Sequence, residues 1–431
     1  MGRRFDPDRA HNFSNLGHVR RKKMTQPTKP CVVGLGKLGL PLAAVLASTG
    51  FQTKGIDKNE NLIKIISERR YQSPEPELEL LLETHSDNLS FTNKFEEVSD
   101  CSIFFIIVPT PSKVDGSFDN SYLILAISEL LRCWENSEGE KTIVIVSTVM
   151  PGSCNQVFIP MIRRWEADHG NKLNVALLYS PEFIALGSVV YNLRNPDMTL
   201  IGSDNPEDTK VFLEVMKKVT NGKPKNQILS LTEAEIVKLM VNCFVTMKIS
   251  FANFIGELTS VIPDTNKYQI SEALGMDSRI GGKYLRPGFG FAGPCFPRDN
   301  KALIALAKHF NLNPSLALAT DEVNDRQPEQ VFSQIISKNP GAKRIGIAGI
   351  SYKPDTIVTD ESQTLKLAAL IESKGLEVNL YDSLFTDIEL AGFRIVASVS
   401  DLLECDVIVV PKEFEFLFKQ EETQNEKFLI I

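Results

Sequence analysis

The sequence predicts an α/β protein: two doubly wound domains joined by a helical bridge. Three observations carry this. Continuous apolar runs of strand length recur between residues 31 and 202 and again between 344 and 410. The stretch from about 231 to 318 switches to helical periodicity. A glycine-rich turn stands where the first apolar run meets the first helical segment.

The chain has 431 residues with 47 basic and 54 acidic side chains, a length that suits two to four domains. Residues 1–27 read as a disordered basic extension, with Met24 a candidate start. They hold seven Arg/Lys against Asp6 and Asp8 and lack the apolar core of a signal peptide. Removing that +5 from the whole-chain charge of −7 leaves −12 on the remainder, which argues against a nucleic-acid surface. No run approaches the roughly 18 consecutive apolar residues of a spanning segment, so no membrane insertion is expected. The seven cysteines (31, 101, 133, 154, 243, 295 and 405) show no CxxC or Cys/His spacing. No metal site is expected, therefore, and a reducing cytoplasm is. Beyond the extension only His85, His169 and His309 remain, none in a motif, so acid/base chemistry falls to other side chains.

Residues 28–228 form the first predicted domain, with strands over 31–36, 51–57, 103–109, 142–148, 175–181 and 198–202. Its turn runs Gly34-Leu35-Gly36-Lys37-Leu38-Gly39, and Asp57 ends the next strand 18 residues after Gly39. This is a dinucleotide fingerprint. Gly34 permits the tight turn, Gly36 lets backbone approach a pyrophosphate, and Gly39 packs helix on strand. The helix N-terminus adds partial positive charge. Asp57 suits a ribose diol and repels a 2′-phosphate, so NAD is the expected cofactor. Pro109-Thr110 and Ser147-Thr148 lie at later strand ends facing the same crevice; a threonine there can equally cap the following helix.

Residues 229–328 form the predicted helical region. Within an apolar helix over 235–261, Lys238 and Asn242 stand at i, i+4 on one face. Such a lysine either snorkels to solvent or is held for a task. The Gly/Pro-rich loop 279–298 carries Cys295, with Arg298 and Asp299 offering charge beside the sulfur. Neighbouring cations are expected to lower that thiol's pKa. After a polar segment, 324–341, strands return over 344–350, 377–382, 394–396 and 406–410, giving a third domain over 329–431.

The motifs VGLGKLGLPLA, VPTP, STVMPGS, SPEFIALGS, the Lys238/Asn242 helix, YLRPGFGFAGPCFPRD and GISYKPDT occur in the order seen in the UDP-glucose/GDP-mannose dehydrogenase family. The resemblance runs from about residue 31 to 382. It implies an NAD-binding Rossmann domain, a central helical dimerisation region and a Rossmann-like C-terminal domain binding a nucleotide sugar. It also implies four-electron oxidation of the sugar C6 alcohol, with UDP-glucose the expected substrate and a UDP-N-acetylhexosamine or GDP-mannose the alternatives. Cys295 would capture the aldehyde as a thiohemiacetal and pass through a thioester. Lys238 and Asn242 would stabilise oxyanions, Asp299 would assist proton transfer, Thr148 would hold a water, and Glu182 would serve the hydrolytic step. For the substrate, the resemblance implies Glu182, Phe183, Ile184, Tyr284, Leu285, Gly288, Phe291, Phe296 and Lys353, with Arg279 reaching across a homodimer or higher homo-oligomer.

The sequence departs from the family pattern in four places. Leu186 stands where some relatives carry a second carboxylate, Asp360 where many carry a cofactor-associated arginine, and Ala292 replaces a loop glycine. Relatives also continue past residue 431 into a segment with a substrate-binding arginine. A β-hydroxyacid dehydrogenase would explain the glycine turn and the Lys238/Asn242 pair, but it leaves Cys295 and the last domain without a purpose. A catalytically silent nucleotide-sugar-binding paralogue is the remaining alternative.

Overall fold

The computed structural model describes residues 27–431 apart from 171, 185, 224, 386–388 and 391. The expected disorder of the basic extension concerns residues outside those described, Pro27 excepted.

The first domain follows the alternation read from the sequence. β1 (Pro30–Val33), α1 (Gly39–Ser48) and β2 (Thr53–Ile56) lead to α2 (Glu60–Ser67), α3 (Leu78–Thr84) and β3 (Leu89–Thr92). β4 (Ile103–Ile106), α4 (Ser121–Cys133), β5 (Gly139–Ile145), α5 (Ile159–Asp168) and β6 (Leu173–Tyr179) complete six parallel strands. After α6 (Val189–Arg194), β7 (Thr199–Gly202) joins β6 antiparallel, and α7 (Lys210–Val219) returns the chain to β8 (Asn226–Leu229). The sheet order is 3-2-1-4-5-6-7-8, so the chain reverses direction beside β1 and opens a crevice at the strand carboxyl ends. Both faces are buried. On β4, Phe104 and Ile106 pack into one core with Ile127 and Trp134, while Ile103 and Phe105 point into the other with Leu42 and Phe212.

Ser230 and Glu233 form a capping box that starts α8 (Leu231–Val261), four residues earlier than expected. α8 is long and apolar enough to cross a membrane by length and mean composition, although charged and polar residues interrupt it before any run of 18 apolar residues is reached. Its residues Glu235 and Lys238 are nevertheless buried within protein, and it packs against β7, α9 (Lys267–Met276), α10 (Phe296–His309) and α11 (Ser315–Asp325).

The polar segment 324–341 proves to be mostly helical: α12 (Gln327–Lys338) buries Val331 and Ile335 at i, i+4. The last domain then builds a parallel sheet in the order β10-β9-β13-β14 from β9 (Arg344–Ala348), β10 (Glu377–Tyr381), β13 (Val407–Val410) and β14 (Phe428–Ile430). α12 packs on α13 (Gln363–Ser373) beside this sheet. The strand expected over 394–396 is reduced to the small hairpin β11 (Glu389–Leu390) with β12 (Phe393–Arg394) and a bridge from Ile395 to Leu380.

Candidate active site

At the glycine turn, Gly34 adopts φ +95°, and a Cβ there would lie 2.1 Å from the Ile107 carbonyl oxygen. A Cβ on Gly39 would lie 1.8 Å from the Gly34 oxygen, so both positions admit only glycine. Gly36 differs: nothing stands within 4 Å of its would-be Cβ, leaving open space against the turn. α1 has no side-chain cap; Leu40 N–H bonds the Gly36 carbonyl at 3.2 Å and Pro41 has no N–H, so the donors left for a phosphate are the N–H groups of Lys37, Leu38 and Gly39 at the helix start. Asp57 is fixed across the turn, accepting the Leu35 N–H at 2.8 Å and the Asn59 N–H at 2.9 Å. Each oxygen retains a lone pair for a ribose hydroxyl. The residues present fit a dinucleotide.

A closed circuit of hydrogen bonds surrounds the neighbouring crevice. Asn242 Nδ2 of α8 donates to Asp299 Oδ2 at 2.6 Å, and Arg298 donates to Asp299 Oδ1 at 3.3 Å. Arg298 Nη1 also donates to the Thr110 carbonyl at 3.3 Å, and Thr110 Oγ1 donates to the Thr148 carbonyl at 2.7 Å. From the turn after Thr148, the N–H groups of Gly152 and Cys154 return to the Glu235 carboxylate of α8 at 2.5 and 2.8 Å. The circuit ties the ends of β4 and β5 to α8 and to the N-terminus of α10. Cys295 sits at the N-cap position of α10 with its residue exposed.

Charges converge on that cysteine. Lys238 is 7% exposed, donates to the Glu182 carbonyl at 2.7 Å and lies 4.7 Å from the Phe183 ring centroid. Desolvation lowers its pKa against the opposing pull of Asp299, Cys295 and Glu182. Desolvation raises the Glu182 carboxyl to about 7, with Lys238 acting in the other direction. The Cys295 thiol is raised, first by desolvation and then by Asp299, which outweigh the lowering by Arg298 and Lys238. The cations pull in the expected direction, but burial and Asp299 decide the net shift. Arg298 is already engaged by Asp299, by the Thr110 carbonyl and by the Phe118 ring 4.5 Å away.

Residues 28–220 match the NAD binding domain of the UDP-glucose/GDP-mannose dehydrogenase family, and residues 232–326 match its central domain. A UDP-glucose 6-dehydrogenase of Mus musculus is 31% identical, with 83% of this chain and 75% of that protein covered. The chain belongs to the UDP-glucose/GDP-mannose dehydrogenase family. It is an NAD-binding oxidoreductase of the nucleotide-sugar 6-dehydrogenase class. Its fold is similar to a UDP-glucose dehydrogenase from Pyrobaculum islandicum (TM-score 0.79, 28% identity, 91% of each chain covered). It is also similar to a UDP-D-ManNAc dehydrogenase from Pyrococcus horikoshii (TM-score 0.77, 26% identity, 93% of each).

In this dehydrogenase the segment before Cys295 is strapped from three sides. Asn253 of α8 accepts the Gly288 N–H at 2.9 Å and donates to the Phe289 carbonyl at 3.2 Å. Asn324 and Gln363 each donate to the Phe291 carbonyl at 3.2 Å, and the Asp360 carbonyl accepts the Gly293 N–H at 2.8 Å. Leu285 and Phe291 are buried in the protein, while Tyr284 is exposed with its ring edge-on to Phe296 at 6.4 Å. Ile184 and Leu186 lean on the core beneath α1. Lys353 donates to the Leu186 carbonyl, so the last domain touches the SPEF segment directly. Arg279 is not brought to this centre: it is exposed and pairs with Asp277 at 2.6 Å. Pro109 lies exposed at the crevice edge.

Two carboxylates escaped the sequence reading. Glu235 announces itself only as an acid three residues before Lys238 in an apolar helix. Glu75 accepts N–H groups from Gly187, Val189 and Val190 at 2.9, 2.5 and 3.2 Å, and no local signal marks it.

Proposed function

We propose that the chain oxidises the C6 alcohol of UDP-glucose to UDP-glucuronate through covalent capture on Cys295. The carrying observation is that Lys238 and Asp299 both act on Cys295 electrostatically, while Asn242 holds Asp299 at 2.6 Å and Lys238 holds the Glu182 carbonyl at 2.7 Å. NAD bound at the glycine turn supplies the hydride acceptor for both oxidations.

Lys238 and Asn242 donate to the sugar oxygen as it gains negative charge. Once the alcohol has lost a hydride and a proton, Cys295 Sγ adds to the aldehyde carbon and a thiohemiacetal forms. Loss of a second hydride and the hydroxyl proton leaves a thioester. Water held by Thr148 attacks that carbonyl, Asp299 or Glu182 takes its proton, and the C–S bond breaks to return the thiol and release the carboxylate. Covalent capture keeps the aldehyde from escaping. Backbone of the 284–291 segment, the ring of Phe296, Phe183 and Ile184, and Lys353 bind the nucleotide sugar.

A homodimer completes this reading. Met240, Phe244, Met247, Phe251, Phe254, Leu258 and Val261 alternate spacings of four and three along α8, the spacing of a coiled-coil seam. Phe244 and Phe251 are 59% and 55% exposed, so the seam stands ready for a second copy. That copy would bring Arg279 to its neighbour's substrate. The free thiols among the described residues support a reducing cytoplasm.

NADH formation at 340 nm with UDP-glucose, UDP-N-acetylglucosamine, UDP-N-acetylmannosamine and GDP-mannose tests the proposal. The highest kcat/KM is expected for UDP-glucose, with two NADH per sugar. One NADH per sugar would refute the thioester route, and no turnover with any of the four would favour a silent paralogue.

A further inference from the structure

Glu235 has no surface exposure and, among the described residues, no cationic partner. Its two oxygens take one amide each, Oε2 from Gly152 at 2.5 Å and Oε1 from Cys154 at 2.8 Å. A carboxylate sealed in this way carries a desolvation cost, and its carboxyl is raised by burial accordingly. What offsets that cost is the geometry it enforces. Residues 235, 238 and 242 fall at i, i+3 and i+7, so Glu235, Lys238 and Asn242 share one face of α8. Gly152 lies in the turn Met150–Ser153, which follows Thr148 and Val149 along the chain. The Thr148 carbonyl is itself anchored by Thr110 at 2.7 Å.

We infer that Glu235 is a positioning residue of the reaction centre: its carboxylate fixes the turn that follows Thr148 onto the helix bearing Lys238 and Asn242. Without it the two halves of the centre, one on the sheet and one on α8, are joined at this edge by packing and by the exposed Asn155–Thr232 side-chain hydrogen bond at 3.3 Å. The inference rests on the proposed roles of Thr148 and Lys238. An error of about 1 Å between such groups is enough to cost on the order of 100-fold in rate.

Glu235→Gln is nearly isosteric but offers one acceptor to two N–H donors. It is expected to lower kcat by about tenfold or more while KM for NAD stays within about threefold. Because Glu235 acts through Thr148, the double variant Glu235→Gln/Thr148→Ala should be no slower than Thr148→Ala alone. Unchanged kcat, or losses that multiply in the double variant, would overturn the inference. Hydrogen exchange gives a readout independent of turnover: amides of segment 149–154 should exchange at least tenfold faster in Glu235→Gln. Unaltered exchange also overturns the inference. If the wild type oxidised no sugar nucleotide, exchange would still decide the role of Glu235, so this reading and the proposed function fail separately. Glu235→Asp keeps the charge with a shorter reach, and it takes the place of the glutamine variant if that one does not fold, with the same pattern expected.

Discussion

Replacing Lys238 by methionine separates catalysis from stability in opposite directions. The side chain is 7% exposed and its ammonium makes one hydrogen bond, 2.7 Å to the Glu182 carbonyl. A bond of that kind contributes about 1.5–3 kcal/mol. Desolvation of a buried ammonium works against it, and the lowered pKa of Lys238 shows that desolvation is the larger influence. An apolar side chain of similar volume removes that desolvation cost together with the hydrogen bond. Lys238→Met should therefore melt no lower than the wild type. Loss of a donor aimed at developing negative charge should cost about 10²–10³ in kcat, or about 2.7–4 kcal/mol. Cys295 loses one of the two cations that hold its thiol down, so its alkylation by iodoacetamide should shift to higher pH. Steady-state NADH formation, a thermal melt and a pH series of alkylation rates check all three. A kcat within threefold of wild type, or an alkylation profile that does not move, would refute the placement of Lys238 at the reacting carbon.

Glu182 titrates near 7, above its unfolded value, so the native state holds this proton more tightly. The associated stability is complete below about pH 4.3 and is lost as pH rises through 7. Melting temperatures of Glu182→Gln should accordingly gain on the wild type between those limits, and a kcat inflection near pH 7, expected in the wild type, should be absent from the variant. Gly36→Val fills space that the protein leaves empty, so it should fold normally and bind NAD at least tenfold more weakly by fluorescence titration. Gly39→Ala meets a backbone oxygen at 1.8 Å and should lower the melting temperature outright. Phe244→Glu with Phe251→Glu should leave a monomer by light scattering.

The first six apolar runs appeared as strands because strands buried on both faces leave largely hydrophobic sequence. β3 and β8 were illegible for the converse reason: Leu89–Thr92 and Asn226–Leu229 lie at the sheet's two edges and are largely uncovered. α12 was hidden among polar residues because its buried positions, Gln327, Pro328, Val331 and Ile335, include only two large aliphatic side chains. The site residues that lie within motifs were legible, since turn chemistry and spacing are local. What the sequence could not give was the balance of charges around Cys295. Arg298 stands three residues from the sulfur, yet its guanidinium is turned to Asp299 and to the end of β4, and that contact spans 188 positions of chain.

At 1.5 Å per residue, α8 is a rod about 46 Å long. Along it lie the Glu235 clamp, Lys238 and Asn242, the Asn253 strap and the apolar seam. Point substitutions on such a rod act where they fall. A single inserted or deleted residue acts everywhere beyond it, because each residue turns the helix by about 100°. An insertion after Asn242 would leave the lysine in place while swinging both strap and seam away from their targets. Length variation among functional descendants of this chain should therefore collect in the surface loops and leave α8 at a constant count, as a ruler whose markings are side chains.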